Sequence, residues 1–417
     1  MRTNARVTIV LGGLACVAVG WACTGDDPIV GADPGDGGTT VIVVNNNDAT
    51  SGDDSGNGGD AGDAQLVCDD PTVACDGKCV TLTESKLHCG RCGHSCGGGE
   101  CDKGTCKAVG VVSNIQELGG MSVSLGYIYY ATNNQDQSST TLIRCTVAGC
   151  QPAETLFSSN ILASNIESVI ASKDAVSFIY TRTSAFENVY VCAGAGCPTD
   201  GGSPAVGGPN AALFAGANKK FFWTGGKFST SVLYADCTTF PASPCVTHSF
   251  GAATGGYAGD DTHVVYSRDD GGVGELVYCD LPGCDAGAVF MTNEIPEQAT
   301  IYNGVLYSMS AGITGQATGK IRKCTLPCAG GFSDFVGPLN YPTDFLVDSS
   351  GLYWISPNLD QIRHCPLAGN CGGGDIVITG LGTGARMLRT DDGFVYWASD
   401  ATTDGAPFAN ITRIAKP

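Results

Sequence analysis

Cysteine is the residue type in this 417-residue chain most able to do chemistry, and its 22 copies fall into three sets by spacing. Cys16 lies in an apolar N-terminal stretch and Cys23 directly follows it. Cys68, Cys75, Cys79, Cys89, Cys92, Cys96, Cys101 and Cys106 crowd into residues 68–106. The remaining twelve form close pairs, Cys145/Cys150, Cys192/Cys197, Cys237/Cys245, Cys279/Cys284, Cys324/Cys328 and Cys365/Cys371, about one repeat apart. Thiols can bind metal, act as nucleophiles, accept lipid or form disulfides. Cys89-x-x-Cys92, with His88 and His94 beside it, has the spacing of a zinc half-site. A zinc ribbon needs a second such pair, and residues 68–106 hold none. Eight cysteines in a segment with almost no aliphatic residues point instead to a module stapled by four disulfides, with the pairing left open. In the six later pairs a Gly-, Pro- or small-residue turn separates the cysteines. Two strands joined by such a turn bring their Cβ atoms within bonding reach, so each pair is expected to clip one hairpin.

Other reactive groups are sparse. Glu117, Glu167, Glu297 and Asp344 each stand at the start of an extended segment in a different repeat. Converging carboxylates could hold Ca²⁺ or another divalent cation. Their offsets differ, so solvated loop charge is the competing expectation. The five histidines, His88, His94, His248, His263 and His364, share no motif. No G-x-S-x-G, H-E-x-x-H or phosphate-loop pattern occurs. Asp260-Asp261 and Asp391-Asp392 fit ordinary turn chemistry. Arg144, Lys323, His364 and Arg413 recur one place before the first cysteine, or its equivalent, and are expected on the solvent face of a strand.

The elements that carry these groups repeat. Paired bulky residues recur at Tyr129-Tyr130, Ile179-Tyr180, Phe222-Trp223, Val265-Tyr266, Leu306-Tyr307, Tyr353-Trp354 and Tyr396-Trp397, spaced about 44 residues apart. Helical periodicity is absent, and β-branched and aromatic runs alternate with Gly/Asp turns. In the sixth repeat the four strands read as 344–347, 351–355, 361–365 and 376–379. Four-stranded sheets in radial repetition make an all-β propeller over residues 107–417, with seven blades and six as the alternative. The last repeat supplies three strands before Pro417, while residues 108–112 precede the first repeat as a spare fourth. Joining the two would close the ring and remove a free sheet edge.

The N-terminus reads as an export signal. Arg2 and Arg6 precede an uncharged apolar run, residues 7–22, too short for a typical membrane span. Cys23 follows, and the chain then turns polar. Residues 24–67 carry nine Asp and ten Gly with no Lys, Arg or Glu, a composition expected to form an unfolded tether from 23 to 67. The formal net charge of −19 argues against a nucleic-acid partner. Nearly half of it belongs to the tether.

Three resemblances add to this reading. Residues 1–23 resemble a bacterial lipoprotein signal, which implies cleavage after Ala22 and diacylglycerol on Cys23. Thr24 in place of Asp leans toward the outer membrane by the same analogy. Cys75-Asp76-Gly77-Lys78-Cys79 with His88-Cys89-Gly90-Arg91-Cys92-Gly93-His94-Ser95-Cys96 resembles a Cys-rich segment of secreted myxobacterial lipoproteins, which implies a structural or adhesive module. Tyr353-Trp354 with Gln361-Ile362-Arg363, and Tyr396-Trp397 with Ile411-Thr412-Arg413, resemble YWTD-type propeller blades. That family has six blades, whereas this chain carries seven copies. The expected function is an exported, lipid-anchored envelope protein whose propeller binds protein or glycan without catalysis. A metal-dependent propeller enzyme of lactonase or lyase type is the alternative.

Overall fold

The structure is a computed structural model that describes residues 66–182, 186–193, 197, 203–205, 212–225, 231–252, 255–269, 274–283, 288–291, 296–369, 371–382, 384–403 and 406–417. The expected signal, Cys23, the tether up to residue 65, and Cys284 lie outside the described residues. Residues 68–417 form one compact unit.

Seven four-stranded antiparallel sheets follow one another along the chain. Blade 1 comprises Leu118–Ser124, Tyr127–Asn133, Thr140–Thr146 and Gly149–Ser159. Blade 2 comprises Ser164–Ser172, Ala175–Arg182, Phe186–Ala193 and Ser203–Ala205. Blade 3 is Ala212–Ala217, Lys220–Thr224, Ser231–Asp236 and Val246–Ala252; blade 4 is Gly255–Gly259, His263–Asp269, Gly274–Asp280 and Ala288–Met291. Blade 5 is Gln298–Tyr302, Val305–Ser310, Gly319–Thr325 and Ser333–Leu339; blade 6 is Asp344–Asp348, Gly351–Ser356, Gln361–Cys365 and Asp375–Thr379. Blade 7 takes Arg386–Thr390, Phe394–Thr403 and Ala406–Ala415 from the C-terminal end and Val109–Gln116 from the N-terminal end. We call the strands of each blade A to D in that order. The A strands contact one another from blade to blade, and blade 7 meets blade 1, so the ring closes with seven blades around the A strands.

Strand B shows why the paired bulky residues recur. A blade is covered on both faces by its neighbours, so its central strands bury every side chain and read as unbroken apolar runs. Gly351–Ser356 is buried at all six positions, whereas the outer strand Asp375–Thr379 is mostly exposed. All fourteen residues of the seven pairs are buried, and the three Trp among them are at most 2% exposed. Each such side chain contributes roughly 2–3 kcal/mol by leaving water.

The A strands approach closely because of glycine. A Cβ on Gly119 would lie 1.8 Å from the Ile166 carbonyl oxygen of blade 2. The A–B turns are held by aspartate. Asp348 Oδ1 accepts from the Ser350 and Gly351 amides, Asp391 Oδ1 from Gly393 and Phe394, and Asp260 Oδ1 from Thr262 and His263. These are the side-chain-to-backbone turns that Asp favours.

The cysteine module has two short hairpins, Val73–Cys75 with Lys78–Val80 and Cys101–Asp102 with Thr105–Cys106. Four overlapping disulfides hold it: Cys68–Cys79, Cys75–Cys92, Cys89–Cys101 and Cys96–Cys106. Cys89, Cys96 and Cys106 share a buried cluster with Trp397, Ile414 and other residues of blades 6 and 7. The module therefore draws its hydrophobic core from the propeller.

Candidate functional site

Strand order assigns every loop to one of two faces. In an antiparallel A–B–C–D sheet the A–B and C–D turns share one face, and the B–C loops and D–A connections share the other. The first face is tightly built. Cys145–Cys150, Cys192–Cys197, Cys237–Cys245, Cys324–Cys328 and Cys365–Cys371 clip C–D hairpins there, with Cα separations of 4.4–5.8 Å. Cys279 is disulfide-bonded too.

The cysteine module docks on the same face, at the junction where the ring closes. Arg413, only 6% exposed, organises the contact. Its guanidinium lies 4.4 Å from the Phe394 ring centroid, donates to the Gly97 carbonyl at 2.7 Å and reaches the Val147 carbonyl of blade 1. Gly97 has φ +57°, and a Cβ there would lie 2.0 Å from Phe394 Cζ, so only glycine fits. His94 bridges the two parts, with Nδ1 2.6 Å from the Cys89 carbonyl oxygen and Nε2 2.8 Å from that of Lys416. Between module and blades 6 and 7 lies a cavity of about 280 Å³, bordered by Arg91, His94, Ile376, Val377, Ile414 and Pro417.

The basic residues expected on the solvent face are not free there. Arg144 covers Tyr127 at 4.8 Å, Lys323 covers Phe335 at 4.1 Å, and Arg413 covers Phe394. His364 is buried 4.6 Å from the Tyr353 ring and donates from Nε2 to the Ser350 carbonyl at 3.0 Å. Each shields an aromatic ring, the usual compromise for amphipathic side chains, while the Arg144 guanidinium meets the Glu154 carboxylate and His364 and Arg413 meet backbone carbonyls.

The zinc alternative finds no ligand set. Among the described residues, the one group of three or more His, Cys, Asp or Glu close enough for a metal is Cys89, Cys96 and Cys106. All three sulfurs are bonded to other sulfur, Cys89 to Cys101 and Cys96 to Cys106.

The four carboxylates proposed for Ca²⁺ do not converge either. Glu117 precedes strand A of blade 1 in a left-handed conformation, φ 36°. Glu167 is exposed at a bulge between Ile166 and Ser168 and accepts from Thr181 Oγ1 at 3.1 Å. Only Glu297 and Asp344 border one cavity, about 400 Å³ in volume, which opens on the channel side of blades 5 to 7. Asp344 is engaged there, Oδ1 by Gln298 Nε2 at 2.8 Å and Oδ2 by the Leu388 amide at 2.7 Å. It ties the inner strands of blades 5, 6 and 7 together. Bulges in several A strands shift the offsets from blade to blade, which is why equal positions in the repeat do not share a layer.

One group in this cavity escaped the sequence reading. Arg389 lies in strand A of blade 7 and lines the cavity with Met387, Met309, Gln298, Glu297 and Asp344. Its Nε donates to the Met121 carbonyl of blade 1 at 3.0 Å and its Nη1 to the Leu388 carbonyl at 2.7 Å. The available signal was compositional: Arg386 and Arg389 are the only basic residues in any of the seven A strands.

Several aromatic hydroxyls are also perturbed. Burial, then the Asp280 carboxylate beside it, pushes Tyr278 up to about 12. Burial likewise raises Tyr353 to about 12. Asp348 is held below the usual carboxylate range: burial would raise it, but the Lys416 ammonium at 2.6 Å and hydrogen bonds from Ser350 and Thr390 outweigh that.

No protein-family model matches the sequence, and no curated protein matches it. Solved structures do. A chain from a structural study of two prolyl endopeptidases is 11% identical, with 74% of this chain and 51% of that chain covered and a TM-score of 0.47. This chain therefore spans about half the length of that one. The WD40 domain of Toxoplasma gondii coronin is 10% identical, with 75% and 87% covered and a TM-score of 0.47. A chain of the nidogen/laminin complex is 10% identical, with 61% and 77% covered and a TM-score of 0.33.

Proposed function

We propose that this protein is exported, anchored at the cell envelope by lipid on Cys23, and serves as a non-catalytic scaffold whose propeller binds a protein or glycan partner. The observation that carries this reading is the division of labour between the two faces. Hairpin disulfides, Asp-capped turns and the docked module pin one face. The opposite face gathers the B–C and D–A loops and the channel cavity, and among the described residues no disulfide clips those loops. Loops on a rigid scaffold are the usual place for recognition. Disulfides in this number persist in an oxidising space outside the cytoplasm, which supports export. Among the described residues, no helix is long and apolar enough to cross a membrane; the reading takes its membrane attachment from the resemblance of residues 1–23 to a lipoprotein signal.

The test is capture from a native envelope fraction by the immobilised 68–417 unit. Substitutions in the B–C loops at Ile313 and Leu359, both exposed, should abolish capture, and substitutions in A–B turns at Leu125 should not. The reverse result would sink the assignment of faces. Separately, Cys23→Ala should release the protein from membranes; retention would refute the anchor.

A further inference from the structure

The channel cavity of blades 5 to 7 holds an arrangement that a purely structural role does not use. Arg389 keeps one Nη1 hydrogen and both Nη2 hydrogens after serving the Met121 and Leu388 carbonyls. Arg386, three residues earlier in the same strand, is paired with Asp400. Arg389 has no carboxylate within 4.0 Å among the described residues, although Asp344 and Glu297 border the same cavity. Asp344 is satisfied on both oxygens. Glu297 is exposed and accepts through Oε1 from the Ala311 amide at 3.2 Å, which leaves Oε2 open. The cavity thus presents a fixed guanidinium fork, a separate carboxylate with an unused oxygen, and two methionines, Met309 and Met387.

We infer that this cavity is a binding site for a small zwitterion of the amino-acid or short-peptide class with an apolar side chain. A guanidinium fixed by backbone carbonyls presents parallel donors that match a carboxylate. The Glu297 carboxylate receives an ammonium group. The same acidic wall disfavours a phosphate dianion, because Glu297 and Asp344 both repel it. The two thioethers form an adaptable apolar wall. A volume of about 400 Å³ is of the right order for such a ligand. This site goes beyond the scaffold function proposed above, and either can stand without the other.

The experiment is titration calorimetry on the purified 68–417 unit with leucine and the dipeptide Leu-Leu. Each probe is also supplied with its amine acetylated and with its carboxyl as the amide, and inorganic phosphate is run in parallel. At least one free zwitterion should bind at millimolar concentration. Its two blocked forms should each bind about tenfold or more weakly, the share of one charge-assisted hydrogen bond, and phosphate should not bind. Arg389→Met should remove binding. Glu297→Gln should weaken the zwitterion and reduce discrimination against the acetylated form. Arg389→Met also frees the Met121 carbonyl and could disturb folding, so the blocked probes on unaltered protein provide the decisive arm. Absence of binding by both zwitterions, or equal binding of the blocked forms, would overturn the inference. Capture of an envelope partner is unaffected by either outcome.

Discussion

Ring closure by the N-terminal strand can be tested at one side chain. Ile115 lies in Val109–Gln116, pairs with Ala409 across the closing ladder, and is 4% exposed. It belongs to a buried cluster with Leu118, Met121, Tyr396 and Ile411, which joins blade 7 to blade 1. Ile115→Ala removes three carbons, worth about 2.4 kcal/mol at about 0.8 kcal/mol each. A partly relaxed cavity brings the cost to about 3 kcal/mol, inside the range for such truncations. An unfolding entropy of about 2.1 cal/mol/K per residue over roughly 350 residues predicts a fall in Tm of about 4 °C. The assay is thermal unfolding under oxidising conditions, with hydrogen exchange of residues 406–415 as the local readout. Ile376→Ala, at a position 51% exposed in strand D of blade 6, is the control and should change stability by less than about 0.5 kcal/mol. If Ile115→Ala melts with the unaltered protein and residues 406–415 exchange at the same rate, then Val109–Gln116 does not close the ring.

Three further outcomes follow from the geometry. Asp348→Asn should destabilise by about 1–3 kcal/mol at neutral pH, because Lys416 loses its half-buried partner. The Asp348 carboxyl is depressed in the fold, so its contribution is complete above the ordinary carboxylate range and is lost as pH falls through the folded value; a difference between the two proteins that persists undiminished in strong acid would contradict this. Gly97→Ala must displace the Phe394 ring and should loosen the module at a cost of about 1–3 kcal/mol, read as faster proteolysis within 68–106 while the propeller stays resistant; unchanged proteolysis would refute the docking. Tyr278 and Tyr353 ionise only near 12 in the fold, whereas unfolded tyrosine ionises near 10. Stability should therefore fall as pH rises above about 10, and absorbance titration should show a delayed phenol fraction that unfolding abolishes.

The repeat was legible because blade packing imposes the same demand seven times. A central strand covered on both faces must be apolar and bulky, and a tight hairpin brackets its turn with cysteines. Exact register was less legible. Counted across the ladder, Cys145 faces Ile128 and Cys365 faces Leu352, which puts Tyr129 and Tyr353 at equivalent places. By the same rule Cys192 faces Val176, so the second repeat's equivalent is Ser177 rather than Ile179. Bulk alone could not resolve that offset of two residues, since both residues point to the same side of the strand. The recurring basic residues were assigned to solvent because a strand pattern shows polarity without showing a ring beneath the aliphatic stem. The four acidic candidates were chosen by repeat position, and A-strand bulges broke that equivalence.

The sequence by itself determined the class of the protein, because strand period, turn chemistry and cysteine spacing act over a few residues. These local terms specify all-β blades, seven copies of the repeat and the hairpin cysteine pairs, while the closed ring of seven blades, against the six of the alternative, was decided by the structure. Only the tertiary structure decided what meets across long separations. Gly97 touches Arg413 from 316 positions away, and Arg389 reaches Met121 from 268 positions away. Such contacts depend on how the ring closes and which side of a bulged strand a side chain takes, and both are fixed by packing between blades. The docked module and the channel cavity, with the Arg389 guanidinium held by the Met121 and Leu388 carbonyls, therefore exist only once the circle is complete.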